Sequence, residues 1–154
     1  MLKPTQLREM LLARVPQLRD RPERLTIALE QGRVVCTPAT SLSFEYQYPL
    51  RITLSEAGDD SDVLVVSLLL WLRENQPDLM TTAQKRESGI VFSHSANGDF
   101  TVAIALTERV LVSEDDGALH VTHLPEPPEP EAVSRPWRLY INQQLVSEWP
   151  AISG

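Results

Sequence analysis

A strict alternation of apolar and polar positions between Phe44 and Leu54 constrains the fold of this chain more than any other feature. Its apolar set is Phe44, Tyr46, Tyr48, Leu50, Ile52 and Leu54. Because successive side chains of a strand point to opposite faces, the pattern predicts a long strand with one buried face and one wet face. Pro49 falls in the wet set and cannot donate to a ladder, so we expect an edge strand or a bend there.

A second alternation, from Phe100 to Thr107, predicts another long strand. Shorter strand patterns occur at residues 26–30, 33–37, 90–92 and 118–123. Gln31-Gly32 separates the first two of these, and because glycine permits a positive φ, we expect a hairpin there. Asp116-Gly117 predicts a tight turn before the last one.

Two helices are predicted beside these strands. The first starts near Pro4, with Leu7, Met10, Leu11, Val15 and Leu18 at helical spacing, and Pro16 must kink or restart it. The second runs from about Asp62 to Asn75 and is apolar on most sides, so we expect it at the centre of the core, with Trp71 buried. Asp59, Asp60 and Asp62 are expected to cap its start.

The order helix, three strands, helix, three strands lacks a regular βαβ repeat. The predicted class is therefore α+β, with a mostly antiparallel or mixed sheet packed by two helices. Residues 1–124 form the predicted body. Residues 125–136 hold five prolines and several glutamates, a composition typical of an extended, semi-rigid spacer.

Residues 137–154 follow this spacer as a predicted hairpin arm. Its aromatic side chains either fold back as a small satellite cluster or anchor a neighbouring subunit, and the sequence leaves both open. The candidate interface residues are Trp137, Leu139, Tyr140, Ile141 and Trp149.

The net charge of −7 is unevenly distributed, because residues 1–24 carry +3 and leave −10 for the remainder. An acidic body disfavours general nucleic-acid binding, whereas unlike charges can guide self-association. Cys36 is the single cysteine, so no intrachain disulfide is expected and synthesis in a reducing, intracellular compartment fits best. No secretory signal or membrane-spanning run is predicted.

No catalytic, metal-binding or cofactor-binding residues are expected. His120 and His123 are three apart on a predicted strand and so face apart, which prevents them from chelating one ion. Ser93 and His94 are adjacent strand residues that also face apart. Cys36 follows two valines, which indicates a packed thiol.

Several stretches together resemble one family. They are Met1-Leu2-Lys3-Pro4, residues 41–45, 71–78 and 80–82, then 106–109, 111–114, 116–121 and 139–142. In this order, and over nearly the whole chain, they resemble the tail completion protein R family of Peduovirus-type temperate phages and related prophages.

The resemblance implies a virion protein of the host-assembled tail, acting at its head-proximal end in tail termination and head–tail joining. By looser analogy with tail terminators it implies a homohexameric ring that contacts the tail tube and neck proteins, with no cofactor. The alternative is a cytosolic adaptor, monomeric or dimeric, in which Trp137 and Trp149 grip a partner peptide.

Overall fold

A computed structural model describes residues 1–37, 40–124, 137–141 and 144–149, the last two ranges as backbone only. The helices are α1 (Lys3–Arg14), α2 (Pro16–Asp20), α3 (Ser61–Asn75), α4 (Asp78–Thr81) and α5 (Ala83–Ser88), with 3-10 turns at Pro22–Arg24 and Gly58–Asp60. The strands are β1 (Leu25–Leu29), β2 (Arg33–Cys36), β3 (Phe44–Leu54), β4 (Ile90–His94), β5 (Phe100–Asp115), β6 (Ala118–Leu124), β7 (Trp137–Ile141) and β8 (Gln144–Trp149).

Strands β1 to β6 form one antiparallel sheet with β3 and β5 at its centre. β1 and β2 follow one another along the free side of β3. β4 and β6 follow one another along the free side of β5. The α+β class with a mostly antiparallel sheet is therefore confirmed.

The predicted hairpin between the first two strands is wrong, because β1 and β2 both pair with β3 and not with each other. Pro49 explains the break between them. Its carbonyl accepts from Glu30 N at 3.1 Å, so its missing N–H also faces the β1–β2 side, where a regular ladder would lack a donor. Gly32 lies in this break with a negative φ, and a Cβ there would lie 2.6 Å from Gln47 O. Glycine is needed for close approach and not for a turn.

Pro49 was also expected to mark an edge strand, whereas β3 is central. The proline is tolerated because the ladder is interrupted beside it. The Asp116-Gly117 turn is confirmed, and both residues have positive φ, 47° and 76°. It joins β6 to β5, which extends eight residues beyond the predicted end at Thr107.

The core lies between one face of the sheet and the helices. The alternating apolar set of β3 is buried from Tyr48 to Leu54, and that of β5 from Phe100 to Leu106. α1 contributes Leu7 and Leu11. α3 contributes Val63, Leu64, Leu68, Trp71 and Leu72, which confirms the predicted central helix and the burial of Trp71. Within the described residues, no helix is long and apolar enough to cross a bilayer.

The predicted cap of α3 is only partly correct. Asp60 stands at the N-cap position but its side chain makes no capping hydrogen bond. Its carboxylate instead accepts from Gln17 Nε2 at 2.8 Å and lies 3.9 Å from Arg24 Nη2. Burial raises the pKa of Asp60, an effect that the Arg24 charge opposes and Asp59 reinforces. Asp62 lies in the first turn, where its charge favours the helix dipole.

β7 and β8 form a separate two-stranded antiparallel sheet, as the hairpin prediction required. Cα atoms of β8 approach within 8 Å of Cα atoms of α1. The predicted spacer, residues 125–136, lies outside the described part of the chain, as do Asn142 and Gln143 of the predicted turn.

Candidate assembly surface

The five predicted interface residues lie on the terminal hairpin. Trp137, Leu139, Tyr140 and Ile141 belong to β7, and Trp149 belongs to β8. Trp137 and Trp149 are register partners, and the pairing shifts between Leu139 and Tyr140. The structure thus brings the two tryptophans to the same end of one hairpin, at the level of the backbone.

A second surface lies at the end of the large sheet. We define the distal sheet as β2, residues 44–47 of β3, residues 109–115 of β5, and β6. Its two outer strands are exposed, except that His123 is half-buried. Val34 of β2 is 56% exposed, and Leu119 and Val121 of β6 are 57% and 61% exposed. Apolar side chains grouped in this way are typical of a contact surface.

Cys36 is on this surface, and the prediction of a packed thiol is therefore wrong. It lies in β2, the outer strand beside residues 44–47 of β3, where the inner face is only half-covered. The two preceding valines indicated a buried strand, but apolar residues in an open edge strand produce the same pattern. The thiol is accessible to a modifying reagent.

A buried polar cluster connects the distal sheet to the start of the chain. Glu108 of β5 is only 5% exposed. Its carboxylate accepts from Leu2 N at 2.7 Å, from Lys3 N at 3.3 Å and from Tyr48 Oη at 2.7 Å. The negative charge lies at the N-terminal end of α1, where exposed N–H groups and the helix dipole favour it.

Tyr48 is the neutral partner in this cluster. Burial, the hydrogen bond to Glu108 and the charge of Glu108 all raise the pKa of Tyr48. Its hydroxyl therefore stays protonated and donates.

Gln76 fills a gap in the sheet. Between Ile104, which pairs with β4, and Arg109, which pairs with β6, β5 has no strand partner on that side. The side chain of Gln76 takes this place, accepting from Thr107 N at 3.0 Å and from Lys3 Nζ at 2.7 Å. Its amide also donates to Thr107 Oγ1 at 3.0 Å. The cluster therefore satisfies backbone groups that would otherwise be unpaired.

Asp78 completes the cluster by accepting from Gln76 Nε2 and from Lys85 Nζ. Burial alone would raise the pKa of Asp78, but the hydrogen bonds from Lys85 and Gln76 outweigh it and lower that pKa. The carboxylate stays ionised and orients the glutamine.

Sequence reasoning missed these residues, although one signal was available. Glu108 continues the buried positions of β5, between Leu106 and Val110. A charged residue at a buried position of a strand is unusual and indicates a partner. Gln76 and Lys3 gave no comparable signal.

The remaining chemistry agrees with the sequence analysis. His120 and His123 are opposite Ser113 and Val110 of β5, hence on opposite faces of the sheet. Ser93 and His94 likewise face apart on β4. Within the part of the chain that the structure describes, no three potential metal ligands lie together. A pocket of about 170 Å³ lies beside the cluster, lined by Leu2, Lys3, Gln6, Glu74, Asn75, Glu108, His123 and Leu124.

We predict that Glu108→Gln lowers the free energy of unfolding by about 1 kcal/mol, because it removes the charge at the start of α1 but keeps the size of the side chain. Glu108→Ala should cost about 2–4 kcal/mol, because it leaves buried donors unpaired. Urea unfolding followed by circular dichroism measures both. Glu87→Gln, on the exposed α5, is the matched control and should stay within about 0.5 kcal/mol of the wild type. Equal losses at positions 87 and 108 would contradict the role of the cluster.

Comparison with known proteins gives the family of the chain. Residues 1–127 match the family described as P2 phage tail completion protein R (GpR). Tail completion protein R of Escherichia phage P2 is 47% identical over 153 residues, which cover 97% of this chain and 99% of that protein. No solved structure gives a significant match. The chain therefore belongs to the P2 phage tail completion protein R family, whose members are structural proteins of the phage tail and not enzymes.

Proposed function

We propose that this protein completes the tail at its head-proximal end, where it terminates the tube and prepares it for joining to the head. The observation that carries the proposal is the match to a tail completion protein along almost the whole chain. The contacts that this role requires are with the tail tube, with neck proteins and with further copies of the chain. The site of action is the virion, after assembly in the host cytoplasm.

A homohexameric ring is the proposed form. Identical subunits close into a ring when each uses two different surfaces and the rotation between neighbours closes. The exposed apolar residues Val34, Leu119 and Val121 of the distal sheet offer material for such contacts. The acidic remainder of the chain, −10 beyond residue 24, makes DNA an unfavourable partner and favours protein contacts.

The terminal hairpin is the second proposed contact, through Trp137, Leu139, Tyr140, Ile141 and Trp149. A two-stranded hairpin alone is only marginally stable in water, so it needs a surface on which to pack. The backbone of β8 lies near α1 of its own chain. The α1 helix of a neighbour offers the same surface, so an exchange of arms between copies costs few contacts.

Loss of the protein tests the role directly. We predict that tails assembled without it either have tubes of abnormal length or have normal length and fail to attach heads, because the head-proximal end is unfinished. Negative-stain electron microscopy measures tube length and head attachment, with particles complemented by the intact gene as the control. Infectious particles of normal appearance in its absence would contradict the proposal.

Truncation tests the arm. We propose that residues 1–124 fold on their own, and the buried apolar core of the described residues supports this because it lies wholly before Leu124. A variant that ends at Leu124 should keep the circular dichroism spectrum of the body but form a weaker oligomer, measured by size-exclusion chromatography with light scattering. A variant that ends at Trp149 keeps the hairpin and is the matched control. An unchanged oligomer after removal of residues 125–154 would contradict the arm's role.

A further inference from the structure

We propose that β2 of one copy pairs with β6 of the next, so that the distal sheet continues from subunit to subunit as one antiparallel sheet. The inference rests on the proposed ring and adds the surface that closes it. It assigns the partner as a second copy of this chain.

Both strands are open edges. Within the described residues, β2 pairs only with β3 and β6 only with β5, so each has one side without a strand partner. Soluble proteins commonly protect such edges with lysine, proline or a bulge. Neither Arg33–Cys36 nor Ala118–Leu124 contains a lysine or a proline. These edges carry exposed valines and leucine instead.

The directions of the strands fit the pairing. Each neighbour in the order β2, β3, β5, β6 is antiparallel, so β2 and β6 run in opposite directions on opposite sides of the distal sheet. A copy placed edge to edge, in the same orientation, therefore brings its β2 antiparallel to the first copy's β6. The contact joins two different surfaces, as a closed ring requires.

The side-chain pattern selects a register. Val34 and Cys36 lie on the same face of the sheet as Leu119, Val121 and His123. Two registers match these faces and use all four residues of β2. One places Cys36 opposite Leu119 and Val34 opposite Val121, and the other places Val34 opposite His123. We adopt the first, because it pairs apolar residues across the strands.

The course of the chain adds a second reason. β6 ends at Leu124, and the C-terminal segment therefore leaves the body from the edge that meets the neighbour. Residues 125–136, extended at about 3.1 Å per residue, span roughly 37 Å, enough to carry the hairpin onto the next copy. A four-residue strand pair is smaller than the roughly 1,000 Å² of a stable interface, and the arm supplies additional area.

The natural Cys36 allows a direct test. With Leu119→Cys as the only change, mild oxidation of purified tails should link successive copies and give a ladder of multimers on a non-reducing gel. A disulfide requires Cβ atoms about 3.5–4.5 Å apart, so its formation reports the register. The unchanged protein, the double variant Cys36→Ser with Leu119→Cys, and His120→Cys, whose side chain lies on the other face, should give no ladder.

The possible outcomes separate the two proposals. A ladder formed through Val121→Cys or His123→Cys, and not through Leu119→Cys, would overturn the register. Cross-linked dimers in the unchanged protein or in the double variant would show that like edges meet, and would overturn the pairing of β2 with β6. An oligomer of full size in the tails without any cross-link would overturn the shared sheet and leave the ring intact. Absence of the protein from tails would overturn the proposed function itself.

Discussion

The middle of β5 has no strand partner on one side, and the arrangement of the rest of the body depends on how this gap is filled. Gln76, which follows α3, hydrogen-bonds the exposed backbone at Thr107. Lys3 joins the same glutamine, and Glu108, the next residue of β5, receives the first N–H groups of α1. One interruption in the sheet therefore fixes the positions of both main helices.

This interruption also divides the sheet into two parts with different surroundings. Beside β4 and β1, the inner face is covered by the helices and forms the core. Beyond Glu108, toward β2 and β6, the strands continue with little cover on either face. The part that the helices cover stabilises the fold, and the distal part remains available for contacts. A tail protein needs no catalytic group for this division of roles.

The alternating patterns predicted the two central strands well, because period-two burial is a local property of sequence. They could not predict which strands pair. Gly32 was interpreted as a turn residue, although it is glycine because β3 passes close to it. Pro49 was assigned to an edge, but the break in β1–β2 accommodates it in a central strand. Both errors arise from contacts with residues distant in the sequence.

The candidate contact surfaces differ in how far sequence could define them. The terminal hairpin followed from a proline-rich spacer and two aromatic segments, and its two strands are confirmed. The open edges of the distal sheet were not predicted, because the exposure of Val34 and Cys36 depends on where the helices end. Sequence identifies apolar residues, whereas only the packing shows which of them the core leaves uncovered.

Cryo-electron microscopy of the head–tail junction in intact virions tests the central claim most directly. The account predicts a ring of six copies of this fold at the last ring of the tail tube, with neighbouring distal sheets in contact. Density for the protein along the tube or at the distal end of the tail, or its absence from the junction, would contradict the account.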